Sequence, residues 1–257
     1  MPRSPRSQPL NTPLHVIARG YFGQPVYDSA ESKQRLLVLL TEVVAEHHWC
    51  VLNWTIMTNH AHLVLSLTDT NLSAGMEWLI GDHAKWWNAR YQSRGHVYMG
   101  RYRSIVVNDA DHTRSLMRYV DLNAARAGLC KHPTDWQWSG YAANAGLRAP
   151  EPFHNPEEGR RFVTAERDEN ESHARYRRYV CAKLPAWARQ GHELEERPPL
   201  VDVLIPGRQE TGTEAFELWR YTTGDVAAIY GVTTQTVRDW LNAGLPPRPF
   251  PLSPQPD

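Results

Sequence analysis

WCVLNWTIMTNHAHLVLSL, residues 49–67, holds two runs of apolar and β-branched residues separated by Thr58 and Asn59. Short apolar runs bounded by turn-forming residues read as strands, so the segment predicts two strands joined at that turn. Successive strand side chains point to opposite faces, which puts His60 and His62 on one face and Ala61 on the other. Two imidazoles on one face can reach a single divalent cation. The same spacing also suits a half-buried face that carries two histidines and no metal, and the pair alone does not separate these readings.

The second informative stretch is DHTRSLMRYVDLNAARAGL, residues 111–129. Leu116, Val120, Ala124 and Ala127 fall on one stripe at helical spacing, and Gly128 suits a C-terminal cap. Tyr119 and Asn123 are one turn apart on this helix and share a face, so a phenol and an amide oxygen can be presented together to one phosphate and one metal. A tyrosine packed in the core with its hydroxyl satisfied fits the same pattern.

Outward from these two segments the chain reads as a succession of strands and helices. PLHVIAR (13–19) predicts a strand, SAESKQRLLVLLTEVVAEHH (29–48) an amphipathic helix, AGMEWLIGDHAKWWNARYQ (74–92) a second helix, and HVYMGRYRSIVVN (96–108) a hairpin or bent strand. The β-α-β-β-α-β order is that of a ferredoxin-like antiparallel sheet with helices on one face, an α+β class, with the Tyr119 helix following. Trp136, Trp138 and Tyr141 are expected to pack the end of this domain. The expected organisation is an N-terminal arm over 1–12, the α+β domain over 13–148, a charged and partly helical connector over 149–219, a helix-turn-helix over 220–247 and a Pro-rich tail over 248–257.

Composition narrows the class. The 257 residues carry 28 basic and 28 acidic side chains, whereas nucleic-acid binders usually carry a basic excess. The charge is unevenly spread: residues 84–148 hold ten Lys/Arg against four Asp/Glu, and residues 151–220 hold eleven against fourteen. In the basic stretch Lys85, Arg90, Arg94, Arg101, Arg103, Arg118 and Arg126 alternate with Trp86, Trp87, Tyr91 and Tyr102, a mixture suited to phosphates and unstacked bases. Each of these residues taken singly also suits a solvated helix face or a core aromatic. Cys50, Cys130 and Cys181 lie far apart without C-x-x-C spacing, which argues against a disulfide framework or a structural zinc site. No apolar run nears the ~20 residues of a membrane span, and the basic, Pro-rich start lacks the apolar core of a signal peptide. These features lead to the expectation of a cytoplasmic, nucleoid-associated protein without a membrane partner.

TTGDVAAIYGVTTQTVRDWLNAGLPP (222–247) spaces Val226, Val232, Val237, Trp240 and Leu241 as the small core of two angled helices, with Ala227 at the crossing and Gly231 at the turn. It resembles excisionase-like DNA-binding modules. Thr233, Gln235, Thr236 and Arg238 stand where duplex DNA is reached in such modules, and a helical hairpin used for dimerisation fits the same spacing.

Residues 13–143 resemble the single-tyrosine HUH transposases, and among them the REP-associated tyrosine transposases. The matching stretches are LHVIARG, MTNHAHLVL, GRYRSIVV, RYVDLNAARAGL and HPTDWQWSGYAA, five segments in one order. The resemblance implies the HUH nuclease fold and an enzyme that nicks and rejoins single-stranded DNA beside a hairpin through a covalent 5′-phosphotyrosine, with Mg2+ or Mn2+ as cofactor. It implies Tyr119 as nucleophile, in preference to Tyr91, Tyr98 and Tyr102, and His60, His62 and Asn123 as metal ligands. Lys85, Arg101, Arg103, Arg118 and Arg126 are the expected DNA contacts of such a domain, acting as a monomer or homodimer. Thr58 and Ala124 stand where the family has proline, and Ala61 replaces a bulkier apolar residue. A water-using nuclease and a catalytically idle DNA-binding regulator are the alternatives.

Overall fold

The structure is a computed structural model, and it describes residues 8–184 and Gln235. The chain divides into two units, residues 1–191 and 192–257, and every element named below belongs to the first.

Four strands, β1 (Leu14–Arg19), β2 (Cys50–Ile56), β3 (His60–Ser66) and β4 (Arg103–Val106), form one sheet in the order β2-β3-β1-β4. All three pairings are antiparallel. Helices α1 (Ala30–His47) and α2 (Leu72–Arg90) connect β1 to β2 and β3 to β4, so the sheet has the expected split β-α-β topology. The reading of a strand or hairpin over 96–108 contracts to the four residues of β4. Gly100 holds a positive φ of 66° there, a conformation that interrupts an extended strand.

Helix α1 begins at Ser29, whose hydroxyl accepts the Ser32 N–H at 3.1 Å. Leu36, Leu39, Leu40 and Val43 follow at helical spacing and are fully buried or nearly so. They meet Leu72, Met76 and Leu79 of α2 and the inward residues Leu14, Val16, Ala18, Ala61, Leu63 and Leu65 of the sheet. Burying each such aliphatic side chain stabilises the fold by about 1.5–3 kcal/mol, so this interface fixes which face of β1 and β3 turns to the core.

The alternate residues of these strands therefore face away from α1 and α2. Helix α3 (Ala110–Arg126) lies on that opposite side, where Asn53 of β2 donates to the Met117 carbonyl at 3.1 Å and to Asp121 at 2.8 Å. Asp109 caps the helix by accepting the His112 N–H at 2.6 Å. At the other end Gly128, with φ 67°, sits in a Schellman motif: Leu129 N–H bonds the Ala124 carbonyl and Gly128 N–H that of Ala125. Tyr119 to Ala125 are all buried, so this half of α3 is covered around most of its circumference.

The packing continues past residue 148. Helix α4 (Tyr141–Asn144) is a single turn, α5 (Pro156–Arg161) packs on β2, and α6 (Glu169–Cys181) packs on α3. Among the described residues no helix is long and apolar enough to cross a membrane.

Candidate active site

The strand alternation that buries Leu14, Val16, Ala61 and Leu63 sends His15, Arg19, His60 and His62 to the α3 side of the sheet. In the β1–β3 register Arg19 stands opposite His60 and Ile17 opposite His62, which brings His15 diagonally onto His62. The Nε2 of His15 lies 2.8 Å from the Nδ1 of His62, with the two rings stacked 5.0 Å apart. His60 and His62 meet edge to face at 4.8 Å. Tyr119 comes from α3 and presents its ring at 5.7 Å from His62 and 6.2 Å from His15. The Arg126 guanidinium stands 5.9 Å from the centre of the Tyr119 ring, two turns along the same face of α3.

All three histidines are buried. Burial, with a smaller push from Arg103, lowers the His15 pKa to about 3, and burial with the Arg19 charge lowers that of His60 to about 3. Burial and the neighbouring His60 hold His62 well below the usual imidazole value. Each ring is therefore neutral at pH 7 and carries one lone pair. The His60 Nδ1 lies 2.6 Å from Asn59 Oδ1, an atom that only accepts, so Nδ1 carries the proton and Nε2 the lone pair. On His62 the Nδ1 is engaged by His15, and the buried Nε2 has no hydrogen-bond partner.

Asn123 is fully buried, and neither its Oδ1 nor its Nδ2 has a hydrogen-bond partner. Unpaired buried polar atoms cost about 1–3 kcal/mol each, and native structures retain them where a ligand or ion completes them. Two neutral imidazoles with free Nε2 atoms and an amide oxygen suit a divalent first-row cation. Among the described residues no group of three or more His, Cys, Asp and Glu side chains is gathered for a metal. By their chemistry His60, His62 and Asn123 are the residues that would hold such a cation.

The other tyrosines considered from the sequence lie elsewhere. Tyr98 is buried with its hydroxyl 2.8 Å from both the Tyr27 hydroxyl and His83 Nδ1, and burial raises its pKa further above the phenol value. Tyr102 contacts Ser73 of α2 at 3.1 Å, and Tyr91 contacts Ser29 at 3.1 Å.

The basic residues are divided. Arg103 pairs opposite Ile17 and so shares the histidine face, whereas Arg101 is exposed in the segment before β4. Arg118 precedes Tyr119 and stacks on Tyr179 of α6 at 4.3 Å. Lys85 projects from α2, in the helix layer across the sheet from the histidines, and pairs with Asp82 at 2.8 Å. Thr233, Thr236 and Arg238 lie outside the described residues, and Gln235 is described only as helical and exposed. Sequence reading missed His15 and Asn59. The signal for His15 was the alternation of LHVIAR, which puts it on the face of β1 that does not meet α1.

Residues 11–123 match the family model for IS200-like transposases. A comparison with curated protein sequences found no match. Among solved structures, a REP-associated tyrosine transposase bound to a REP hairpin is 15% identical, with a TM-score of 0.48 over 59% of this chain and 90% of that one. A Deinococcus radiodurans protein described as a transposase is 17% identical, with a TM-score of 0.34 over 47% of this chain and 96% of that one. The tRNA(His) guanylyltransferase of Saccharomyces cerevisiae is 9% identical, with a TM-score of 0.37 over 76% and 86%. The matched segment contains β1 to β4 and every residue of α3 up to Asn123, and over residues 11–123 the chain is similar to the IS200-like transposases.

Proposed function

We propose that this protein is an endonuclease and strand-joining transposase that cleaves single-stranded DNA beside a hairpin, with Tyr119 as nucleophile. The observation that carries the reading is the convergence of His60, His62 and Tyr119 from β3 and α3 on one buried face, with Asn123 one turn along the same helix. In the cleavage step the Tyr119 hydroxyl oxygen bonds to phosphorus and the P–O3′ bond breaks. The phenolic proton leaves Tyr119, and the departing 3′ oxygen gains a proton, so the products are a 5′-phosphotyrosine and a free 3′-hydroxyl. Attack by a 3′-hydroxyl on the phosphotyrosine reverses the step and joins strands.

His60, His62 and Asn123 would hold Mg2+ or Mn2+. Such an ion supplies Lewis-acid polarisation of the scissile phosphate. The Arg126 guanidinium beside the Tyr119 ring favours negative charge on the phenol oxygen, which matters because a free phenol with a pKa near 10 is a weak nucleophile at neutral pH. Arg103, which shares the histidine face, and Arg118, next to Tyr119, would meet DNA phosphates. Lys85 and Arg101 fall to a more distant part of the strand. The 222–247 segment, with Thr233, Gln235, Thr236 and Arg238, is assigned to duplex DNA in the same account.

The test is cleavage of an end-labelled hairpin oligonucleotide with single-stranded flanks, with and without Mn2+. The wild type should cut the strand in a metal-dependent way and His60→Ala should not. Cleavage that persists in Tyr119→Phe would instead assign the chemistry to water.

A further inference from the structure

Tyr179 of α6 lies outside the 11–123 family match, yet it is in contact with the helix that carries Tyr119. Its ring is approached by two guanidinium groups, that of Arg114 at 4.4 Å and that of Arg118 at 4.3 Å. Its hydroxyl donates to the Arg114 carbonyl at 3.1 Å. One turn earlier Tyr176 donates to Asp121 at 2.6 Å, so two tyrosines on one face of α6 hold it to α3.

Most arginines of the neighbouring elements are neutralised locally, and Arg177 of α6 donates to the Ala145 carbonyl at 2.6 Å. Arg160 and Arg161 of α5 pair with Glu169, Glu157 and Glu158, and Arg175 and Arg178 of α6 pair with Glu166 and Glu171. Arg114 and Arg118 differ: among the described residues neither has a carboxylate within ion-pairing distance. Two like charges on one ring repel each other, and the π face offsets part of that repulsion while leaving N–H edges free. A guanidinium stacked by its plane and free at its edge is suited to bidentate phosphate binding. Arg118 is the residue before Tyr119, and its charge is felt by Arg126, so this surface continues directly from the candidate active site.

We infer that Arg114 and Arg118, held on the ring of Tyr179, form a binding surface for the phosphodiester backbone of the DNA single strand that enters the site. The inference rests on the proposed reading of Tyr119 as the residue that attacks DNA. It makes α6 part of the DNA-binding surface, with Tyr179 a positioning residue that acts through the two arginines.

The experiment measures binding of fluorescein-labelled oligo-dT to the full-length protein by anisotropy across a series of NaCl concentrations. Arg114→Gln and Arg118→Gln should each weaken binding several-fold at low salt and reduce the slope of log K against log salt by about 0.7, the value for one phosphate contact to a single strand. Tyr179→Leu should act like the arginine variants although both arginines remain, and Tyr179→Phe, which keeps the ring, should bind like wild type. Arg114 is exposed, so its variant leaves the fold intact and keeps the test open if Tyr179→Leu unfolds. Wild-type affinity and slope in both arginine variants would overturn the inference while leaving the nuclease reading in place. Displacement of the DNA by poly-glutamate as readily as by unlabelled oligo-dT would overturn it in favour of an acidic peptide partner. Failure of the wild type to bind oligo-dT at any salt would overturn the inference and the reading beneath it together.

Discussion

His15 stands against His62 with Nε2 and Nδ1 2.8 Å apart, and that contact leaves Nε2 as the only free nitrogen of the His62 ring. A metal-binding histidine commonly donates its second ring N–H to a fixed acceptor, which sets the tautomer and the orientation of the ring. Asn59 is that acceptor for His60, and with its Nε2 as acceptor His15 would be the same for His62.

Replacement of His15 by Phe therefore removes a tautomer lock without touching a proposed ligand. The affinity of the DNA-free protein for Mn2+, read by electron paramagnetic resonance of the free ion, is expected to fall about 10–100-fold. His15→Gln keeps a hydrogen-bonding partner and should recover part of the loss. Equal Mn2+ affinity in wild type and His15→Phe would show that His15 does not orient His62.

Tyr176 and Asn53 both donate to the buried carboxyl of Asp121, from α6 and β2 respectively. Tyr176→Phe leaves one carboxyl oxygen without its donor and should destabilise the fold by about 1–3 kcal/mol in urea denaturation. An unchanged midpoint would mean that α6 contributes little to holding α3.

Gly159 of α5 lies against the strand it covers: an added Cβ would stand 2.4 Å from the Leu52 carbonyl oxygen and 2.8 Å from Met117 Cε. The nearest obstacle is backbone, so Gly159→Ala must lift α5 from β2. The expected cost is about 1–3 kcal/mol, seen as a lowered Tm. A variant as stable as wild type would place α5 outside the folded core.

His83 and His154 give the metal-free protein a defined pH dependence. Burial lowers both to about 4 from an ordinary value of 6.5. Between these values the unfolded chain binds protons that the folded one refuses, so stability is complete above about pH 6.5 and is lost as pH falls toward 4. Each residue contributes up to about 1.4 kcal/mol per pH unit in that window. Asp121 has the opposite sign, since burial raises its carboxyl to about 7 and folding there favours the neutral acid, which offsets one histidine. The site histidines His15, His60 and His62, lowered by burial, act in the same sense, so urea titrations of chelator-treated protein should show stability rising with pH from about 4 to 6.5, and His83→Phe should make that rise shallower. A stability that falls across the window would contradict the assignment.

The parts of this arrangement that follow a local period were legible in the sequence. Period-two alternation put His60 and His62 on one face, and helical spacing put Tyr119 and Asn123 together, because strand pleat and helix pitch are properties of the local backbone. The order of strands and helices gave the sheet topology in the same way. The hairpin or bent strand read over 96–108 is strand only at 103–106, because the positive φ of Gly100 breaks the extended backbone inside that segment. Lys85 was grouped with Arg103 and Arg118 by nearness in sequence, yet α2 and α3 lie on opposite sides of the sheet. The contacts of Tyr179 with Arg114 and Arg118, and of Tyr176 with Asp121, join segments some sixty residues apart, and no local period encodes them. His15 lay in between: its strand was read, but its partner across β3 depends on the pairing register.

The central claim is that Tyr119 becomes covalently joined to DNA. The most direct measurement is mass spectrometric mapping of the nucleotide-linked peptide after the Mn2+-loaded protein has reacted with a hairpin oligonucleotide carrying single-stranded flanks. The account predicts a nucleotide attached through a 5′-phosphate to the peptide containing Tyr119 and absent from Tyr119→Phe. Cleaved DNA with no linked peptide, or a link to a different tyrosine, would contradict it.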